Sequence, residues 1–310
     1  MSDQDQSTAN PMLRLFSFTK SLHRDVYPTV DPKNPRNSAA GKSVLVTGAS
    51  RGIGKGIALA WATAGASTII ITGRDEKAMQ ASVEEVKKAG PNAKVLAVRT
   101  ELTDGKAVAE LFAKVKSEVD NLDVLICNAG GKVSFDPVKF GQGDPEDWWD
   151  DMTVNVKGTY LTIHHYIATF PPPSDTSQST NTIILISSGA ALVTMPGESS
   201  YSLAKRSVSS MPAFLDGEYP SLRTFALHPG MVYTSEKLPA WFKTIALDTP
   251  ELAAGTTLYL ATERADFLRG GHVQVNWDLG EMEPHGKEIR EKGLLKFKLG
   301  ADLGPEGHQF

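Results

Sequence analysis

The chain has 310 residues, 41% of them hydrophobic, and a formal net charge of −4 at pH 7. That is apolar material for a sizeable core, in one large α/β domain or two small ones. The mild acidity and the lack of a long basic run exclude a nucleic-acid footprint, which needs Lys and Arg clustered on one face.

Residues 1–40 have no clean period and read as an N-terminal arm. Leu13, Leu15, Phe16, Phe18 and Leu22 suit a short amphipathic turn or two. The arm is expected to pack on the domain or on a partner subunit; a mitochondrial presequence is the alternative, and Asp3 and Asp5 speak against it. The N-terminus is too polar for a secretory signal, and Gly307 to Phe310 is no retention or peroxisomal address. No apolar run approaches the roughly 20 residues that span a bilayer. The expectation is a cytoplasmic protein that meets neither membrane nor nucleic acid.

The remainder, 41–310, reads as one domain with a C-terminal extension from about 279. It opens on Ser43-Val44-Leu45-Val46-Thr47-Gly48-Ala49-Ser50-Arg51-Gly52-Ile53-Gly54, an apolar β-branched strand that stops at three glycines and enters a helix. Glycines let the backbone turn sharply and approach something bulky and charged, while the helix aims its unpaired N–H groups and positive dipole end at the same point. That makes a seat for a pyrophosphate. The Gly-x-x-x-Gly-x-Gly spacing departs from the commoner Gly-x-Gly-x-x-Gly and keeps its mechanics.

Strands then alternate with helices: strand 68–72, helix 76–88, strand 94–98, helix 105–119, strand 122–127. Cys127, the chain's one cysteine, sits in that last strand and reads as a small buried hydrophobe; no internal disulfide is possible. Asp144-Pro145-Glu146-Asp147 caps a long helix running to about Phe170. After a Pro/Ser/Thr loop come strand 182–187 and helix 199–218, which holds Pro212, a residue that usually kinks a helix. Strand 222–227, a helix capped at Asp248-Thr249-Pro250-Glu251 and a strand near 273–275 complete the pattern. Continuous apolar strands separated by amphipathic helices predict a doubly wound, Rossmann-like parallel sheet of about seven strands, with helices on both faces.

Twenty residues past Gly54, where NAD-binding chains place an acid, stands Arg74. A guanidinium there suits a 2′-phosphate, and Arg51 is a second candidate. NADP is therefore favoured, with NAD kept open by Asp75. Tyr201 and Lys205 lie four apart on one helix face, so the ammonium can reach the phenol. A phenol titrates near pH 10 and needs a neighbouring cation to work near neutrality. Ser188 ends a strand at the carboxyl edge of the sheet, placed to hold a substrate oxygen. His164, His165 and His228 lack metal-ligand spacing, and no metal is expected.

With these motifs in order, 42–278 resembles a single-domain short-chain dehydrogenase/reductase. Residues 47–54 are similar to that family's Thr-Gly-x-x-x-Gly-x-Gly. Asn128-Ala129-Gly130 resembles its Asn-Ala-Gly, which supports the sheet centre and the adenosine side. Asn155 matches the asparagine that holds a water linking the lysine to solvent. Ser188 precedes Tyr201 by the family's 13 residues, which selects it over Ser187. Pro229-Gly230, with Val232 and Thr234, resembles the segment against the nicotinamide. Glu101 stands where the family commonly has an Asp against adenine, followed by Leu102. The resemblance implies strand order 3-2-1-4-5-6-7, catalysis by Ser188, Tyr201, Lys205 and Asn155, and cofactor contacts from Gly48, Ser50, Arg51, Gly52, Ile53, Gly54, Tyr201 and Lys205. It also implies homodimers or homotetramers built on the two long helices, with Pro212 putting the usual assembly in doubt.

The tail resembles an extension of fungal members and implies a role in secondary metabolism. The apolar residues after Thr234 (Leu238, Pro239, Trp241, Phe242, Ile245, Leu247) and after Ser188 (Ala191, Leu192, Val193, Met195) favour an apolar ketone or alcohol. The leading expectation is an NADP-dependent oxidoreductase; the alternatives are a non-redox epimerase or cyclase on this fold, and an NADP-sensing binding protein.

Overall fold

The computed structural model describes residues 11–132, 134–175, 181–234 and 238–298. Asp3, Asp5, part of the 171–181 loop, and 307–310 lie outside them. Among the described residues seven strands form one parallel sheet: β1 (Ser43–Thr47), β2 (Thr68–Gly73), β3 (Lys94–Arg99), β4 (Val124–Cys127), β5 (Thr182–Ile186), β6 (Arg223–His228) and β7 (His272–Gln274). Their order is β3-β2-β1-β4-β5-β6-β7, so the chain reverses direction of travel between β1 and β4, where such sheets open a ligand crevice at their carboxyl edge.

The helices are α1 (Pro11–Leu15), α2 (Gly52–Thr63), α3 (Glu76–Ala89), α4 (Gly105–Lys116), α5 (Pro145–Met152), α6 (Gly158–Thr169), α7 (Ser199–Glu218), α8 (Ala240–Lys243), α9 (Pro250–Leu260), α10 (Leu279–Met282) and α11 (Gly286–Lys292). Side chains alternate across each strand, so the apolar runs feed two cores. Val44, Val46, Ile69, Ile71 and Ile126 meet Ile57 and Trp61 of α2 and Leu252 of α9. Leu45, Ile70, Leu125 and Leu185 meet Phe112 of α4, Tyr166 of α6 and Val208 of α7. Helices therefore cover both faces. Cys127 is buried among the second set, and burial pushes its thiol up from the usual range.

Three expectations need adjusting. The helix expected over 105–119 ends at Lys116, where the bonding tightens to three-residue spacing: the Ser117 N–H also reaches the Lys114 carbonyl (3.2 Å) and the Glu118 N–H the Val115 carbonyl (2.9 Å). The long helix expected to Phe170 is α5 and α6 joined by a π-helical turn, Thr153–Lys157. Pro212 does not break α7, which runs 20 residues; the proline is buried and its carbonyl accepts the Thr224 hydroxyl (2.9 Å).

The arm packs on the body from Leu13 onward. Leu22, Tyr27 and Val30 are buried in the first core, and Leu22 bridges antiparallel to Trp277 just past β7. The extension folds over the same edge: Lys20 and Ser21 N–H groups donate to Glu281 (2.9 and 3.1 Å), and His23 meets Asp278 at 2.8 Å.

Candidate active site

β1 delivers the glycine turn to the crevice. Gly48 and Gly52 take positive φ (64° and 58°), as a turn this tight demands. Arg51 stands at the N-cap of α2 and its side chain makes no cap hydrogen bond, so it leaves the first N–H groups of that helix open. The approach read as made for a ligand is partly internal. A Cβ on Gly54 would run into the Asn128 amide. That amide donates to the carbonyls of Thr47 (2.8 Å) and Gly48 (3.2 Å), while the Thr47 hydroxyl accepts the Asn128 and Ala129 N–H groups, both at 2.9 Å. Asn128 thus ties β4 to β1 at the switch point. Across the turn, Gly52 packs closely against Thr234, whose Cβ would stand 3.1 Å from an added Cβ. Thr234 is exposed, whereas Pro229 and Val232 behind it are buried. Ser50 and Ile53 are half-buried, Ile53 against the first core.

At the outer end, Arg74 follows β2 with its side chain 76% exposed, its guanidinium 3.7 Å from Glu101. Arg99, a residue the sequence reading passed over, donates to the Arg74 carbonyl (3.2 Å). Arg74, Arg99, Thr100 and Glu101 line a small cavity of about 80 Å³. Asp75, the residue that kept NAD open, has turned away to cap α3 by accepting the Ala78 N–H (3.0 Å). Glu101 also accepts the Thr103 hydroxyl (3.0 Å), and Leu102 packs near Gly158.

At the inner end, β5 and α7 bring Ser188, Tyr201 and Lys205 together. The Ser188 side chain lies beside the Tyr201 phenol, near enough to favour its ionised form, and its hydroxyl accepts the Ala190 N–H (3.2 Å). Lys205, 4% exposed, stands 5.7 Å from the centre of the Tyr201 ring and donates from Nζ to the Ile186 carbonyl (3.1 Å). Ser187 faces the other way, bonding the Lys205 carbonyl (3.0 Å) and Ser209. Asn155 sits in the π-turn, a distortion that often marks functional positions. Its amide donates to the carbonyls of Gly131 (2.7 Å) and Asp151 (2.8 Å), and its oxygen accepts the Gly131 N–H (3.2 Å). Gly130 fills the gap between these groups: a Cβ there would lie 2.5 Å from Asn155 Oδ1 and 3.1 Å from Lys205 Nζ.

The electrostatics differ from the expectation of a phenol eased toward phenolate. Burial pushes Tyr201 up to about 12, with the Ser188 side chain pulling the other way and the charges of Asp151 and Glu198 adding to the rise. Burial also brings Lys205 down to about 8. Both groups have lost water, so each is harder to charge.

Two residues here carried no signal in the sequence. Lys132 is paired with Glu198 at 2.7 Å, one helical turn before Tyr201. Trp148 donates its indole N–H to Ser199 (3.1 Å). Lys132 and Glu198 are 66 residues apart, and no periodicity links them. Of the expected apolar border, Ala191 is buried, while Leu192, Met195, Trp241 and Leu247 are exposed. His228 lies against Gly189, His272 is buried behind it, and His164 stacks on Tyr160.

The family model described as "short chain dehydrogenase" matches residues 42–240. The "Short chain dehydrogenase mpl6" of Monascus purpureus is 34% identical over 291 residues, 92% of this chain and 97% of that one. The "Short chain dehydrogenase pigC" of Monascus ruber is 32% identical over 92% of this chain and 94% of its own. A dehydrogenase/reductase from Sinorhizobium meliloti 1021 superposes with a TM-score of 0.67 at 26% identity, covering 77% of this chain and 95% of that structure.

Proposed function

The chain belongs to the short-chain dehydrogenase/reductase family, and from that premise we propose that it is an NADP-dependent carbonyl reductase or alcohol dehydrogenase acting on an apolar small molecule, with Tyr201 as acid and base. The observation that carries this reading is the grouping of the Tyr201 phenol, the Ser188 hydroxyl and the Lys205 ammonium at the end of β5, on the carboxyl edge that the glycine turn shares.

The residues present fit a dinucleotide. The uncapped start of α2, with Gly48, Ser50, Arg51, Gly52, Ile53 and Gly54, offers N–H groups to a pyrophosphate. Arg74 offers a free guanidinium face to a 2′-phosphate, and Asp75 is spent on a helix cap. Glu101, Leu102, Asn128, Ala129 and Gly130 would border the adenosine, Lys205 the nicotinamide ribose, and Pro229, Gly230, Val232 and Thr234 the nicotinamide. Bound NADPH supplies the hydride.

Ser188 holds the substrate oxygen, and Tyr201 gives its proton to that oxygen as the carbon becomes tetrahedral; oxidation runs the same transfer backwards. A phenol held up near 12 is protonated at neutral pH and so carries the proton that the reductive transfer needs. Lys205, still charged below about 8, offsets the phenolate left behind, and Asn155 fixes the loop beside it.

The exposed Leu192, Met195, Trp241 and Leu247 favour an apolar ketone or alcohol, in keeping with a role in fungal secondary metabolism. Exposed Tyr160 on α6 and Leu203 and Phe214 on α7 support a homodimer formed on the two long helices. Mixing the protein with NADPH and a panel of apolar ketones, and following nicotinamide absorbance, tests the reading. Oxidation with at least one ketone is expected. Tight NADPH binding without oxidation across a broad panel would overturn it in favour of a non-redox enzyme or a sensor.

A further inference from the structure

A buried ion pair joins the arm to the loop after β6. Arg24 Nη1 meets Asp248 Oδ1 at 3.1 Å, with side chains 7% and 1% exposed. The other Asp248 oxygen accepts the Met231 N–H at 2.6 Å, and the Asp248 N–H donates to the Met231 carbonyl (3.1 Å). Asn276 Nδ2 also donates to Oδ1 (3.1 Å). Next to Met231, Gly230 is left-handed (φ 82°), and an added Cβ would lie 2.7 Å from Asp248 Oδ2.

The arm segment that carries Arg24 is itself fixed from both sides. The His23 N–H donates to the Asn276 carbonyl (2.8 Å), the Thr249 N–H to the Arg24 carbonyl (2.9 Å), and the Thr249 hydroxyl to Asp25 (2.7 Å). Thr249 caps α9, whose Pro250 touches Gly56 of α2. From Gly230 the backbone proceeds to Thr234, which lies on Gly52 of the glycine turn.

As a stability device the pair is poor. Arg24 Nε and Nη2 are buried with no hydrogen-bond partner, and a buried pair with unsatisfied donors costs as much as it returns, or more. Its geometry accounts for it better: with Arg24 beside it, the carboxylate of Asp248 can stay charged out of water and grip the Met231 N–H, and so hold a loop whose Gly230 turn would otherwise be free to relax.

We infer that Arg24 is a positioning residue: acting through Asp248, it sets the Gly230–Met231 turn and thereby how tightly the nicotinamide end of the cofactor is held. This rests on the cofactor reading above. It makes the arm, which precedes the segment matched to the family, part of the cofactor site.

The test compares NADPH with its adenosine half, adenosine 2′,5′-bisphosphate, which lacks the nicotinamide end that the loop is inferred to hold. Arg24→Met is expected to weaken NADPH about tenfold and leave the fragment within about twofold, since truncating one partner of a buried charge pair acts on what the pair holds. Arg24→Lys, keeping the charge but not the fork, is expected to lose about threefold on NADPH alone. Equal losses for both ligands would reduce Arg24 to general support and overturn the inference, as would unchanged NADPH affinity. If Arg24→Met fails to fold, Arg24→Lys decides by the same comparison. A wild-type protein that binds neither ligand overturns the cofactor reading itself, and this inference with it.

Discussion

At the β2–β3 end of the crevice the charges stand in water: Arg74 and Glu101 are paired at 3.7 Å with side chains 76% and 46% exposed. At the β5–β6 end Lys205 is buried and Tyr201 and His228 are half-buried, with Tyr201 pushed up to about 12, Lys205 brought down to about 8 and His228 to about 4, chiefly by loss of water. The outer groups cost little to keep and contribute little to the fold, while of the inner ones the Lys205 charge opposes folding near neutrality and the proposed mechanism uses Tyr201 and Lys205. Substitutions at the two ends should therefore separate stability from function in opposite ways.

The largest contrast is expected at Tyr201. Tyr201→Phe keeps the ring and removes the one proton the mechanism moves, so turnover should fall by about a thousandfold or more, within the range for a positioned acid. NADPH affinity should stay within about twofold, because only the hydroxyl is lost. Single-turnover kinetics with titration of the cofactor checks both. Substantial activity in the variant would assign the proton to another group.

The inner end should also make the fold acid-sensitive. Burial holds His228 at about 4 and His272 at about 3, against 6.5 when unfolded. Below pH 6.5 the unfolded chain takes up protons that the folded chain refuses, so stability present above 6.5 is lost as pH falls toward these folded values. The expected slope is about 1.4 kcal/mol per pH unit for each histidine. Denaturant titrations across that window check it, and His272→Gln should remove about half of the slope. A flat profile would mean that water reaches both rings.

Lys205→Met sharpens the comparison, because function and stability should move apart. Turnover is expected to fall about a hundredfold. The lysine's folded value of about 8 lies below its ordinary 10.5, so a buried charge opposes folding fully below 8, and the opposition fades as pH rises to 10.5. Allowing for the lost bond to the Ile186 carbonyl, the variant should be more stable by roughly 2 kcal/mol near neutrality and less stable by about 1 kcal/mol above 10.5. A less stable variant at neutral pH would show that the ammonium is better solvated than its burial implies.

The same division explains what was legible before the coordinates. β-branched runs apolar on both faces announce a covered parallel sheet, and helical spacing puts Tyr201 and Lys205 on one face, whereas only the family resemblance selects Ser188 over Ser187. The π-turn that holds Asn155 has no periodicity of its own; it is a change of hydrogen-bond register inside a helix that otherwise reads as continuous. Lys132 with Glu198 and Arg24 with Asp248 join positions 66 and 224 residues apart, and an ion pair leaves no local pattern. The glycine turn was read as room for a phosphate, yet Gly54 also makes room for Asn128, because one missing Cβ serves both sides of a backbone.

The smallest expected effect lies at the outer end and bears on cofactor choice. An exposed pair such as Arg74 with Glu101 contributes at most about 1 kcal/mol to stability, so Arg74→Ala should leave the melting curve nearly unmoved. If that guanidinium recognises a 2′-phosphate, NADPH should weaken about tenfold while NADH stays within about twofold, because a hydroxyl offers it no comparable partner. Glu101 adds an internal control. Its carboxylate competes with the phosphate for Arg74, so Glu101→Gln should tighten NADPH slightly, by less than about threefold, and the gain should shrink as salt screens the exposed charges. Equal losses of NADPH and NADH in Arg74→Ala, or a Glu101→Gln variant that weakens NADPH, would show that the exposed end holds the adenosine by shape and leaves the phosphate to Arg51 or Arg99.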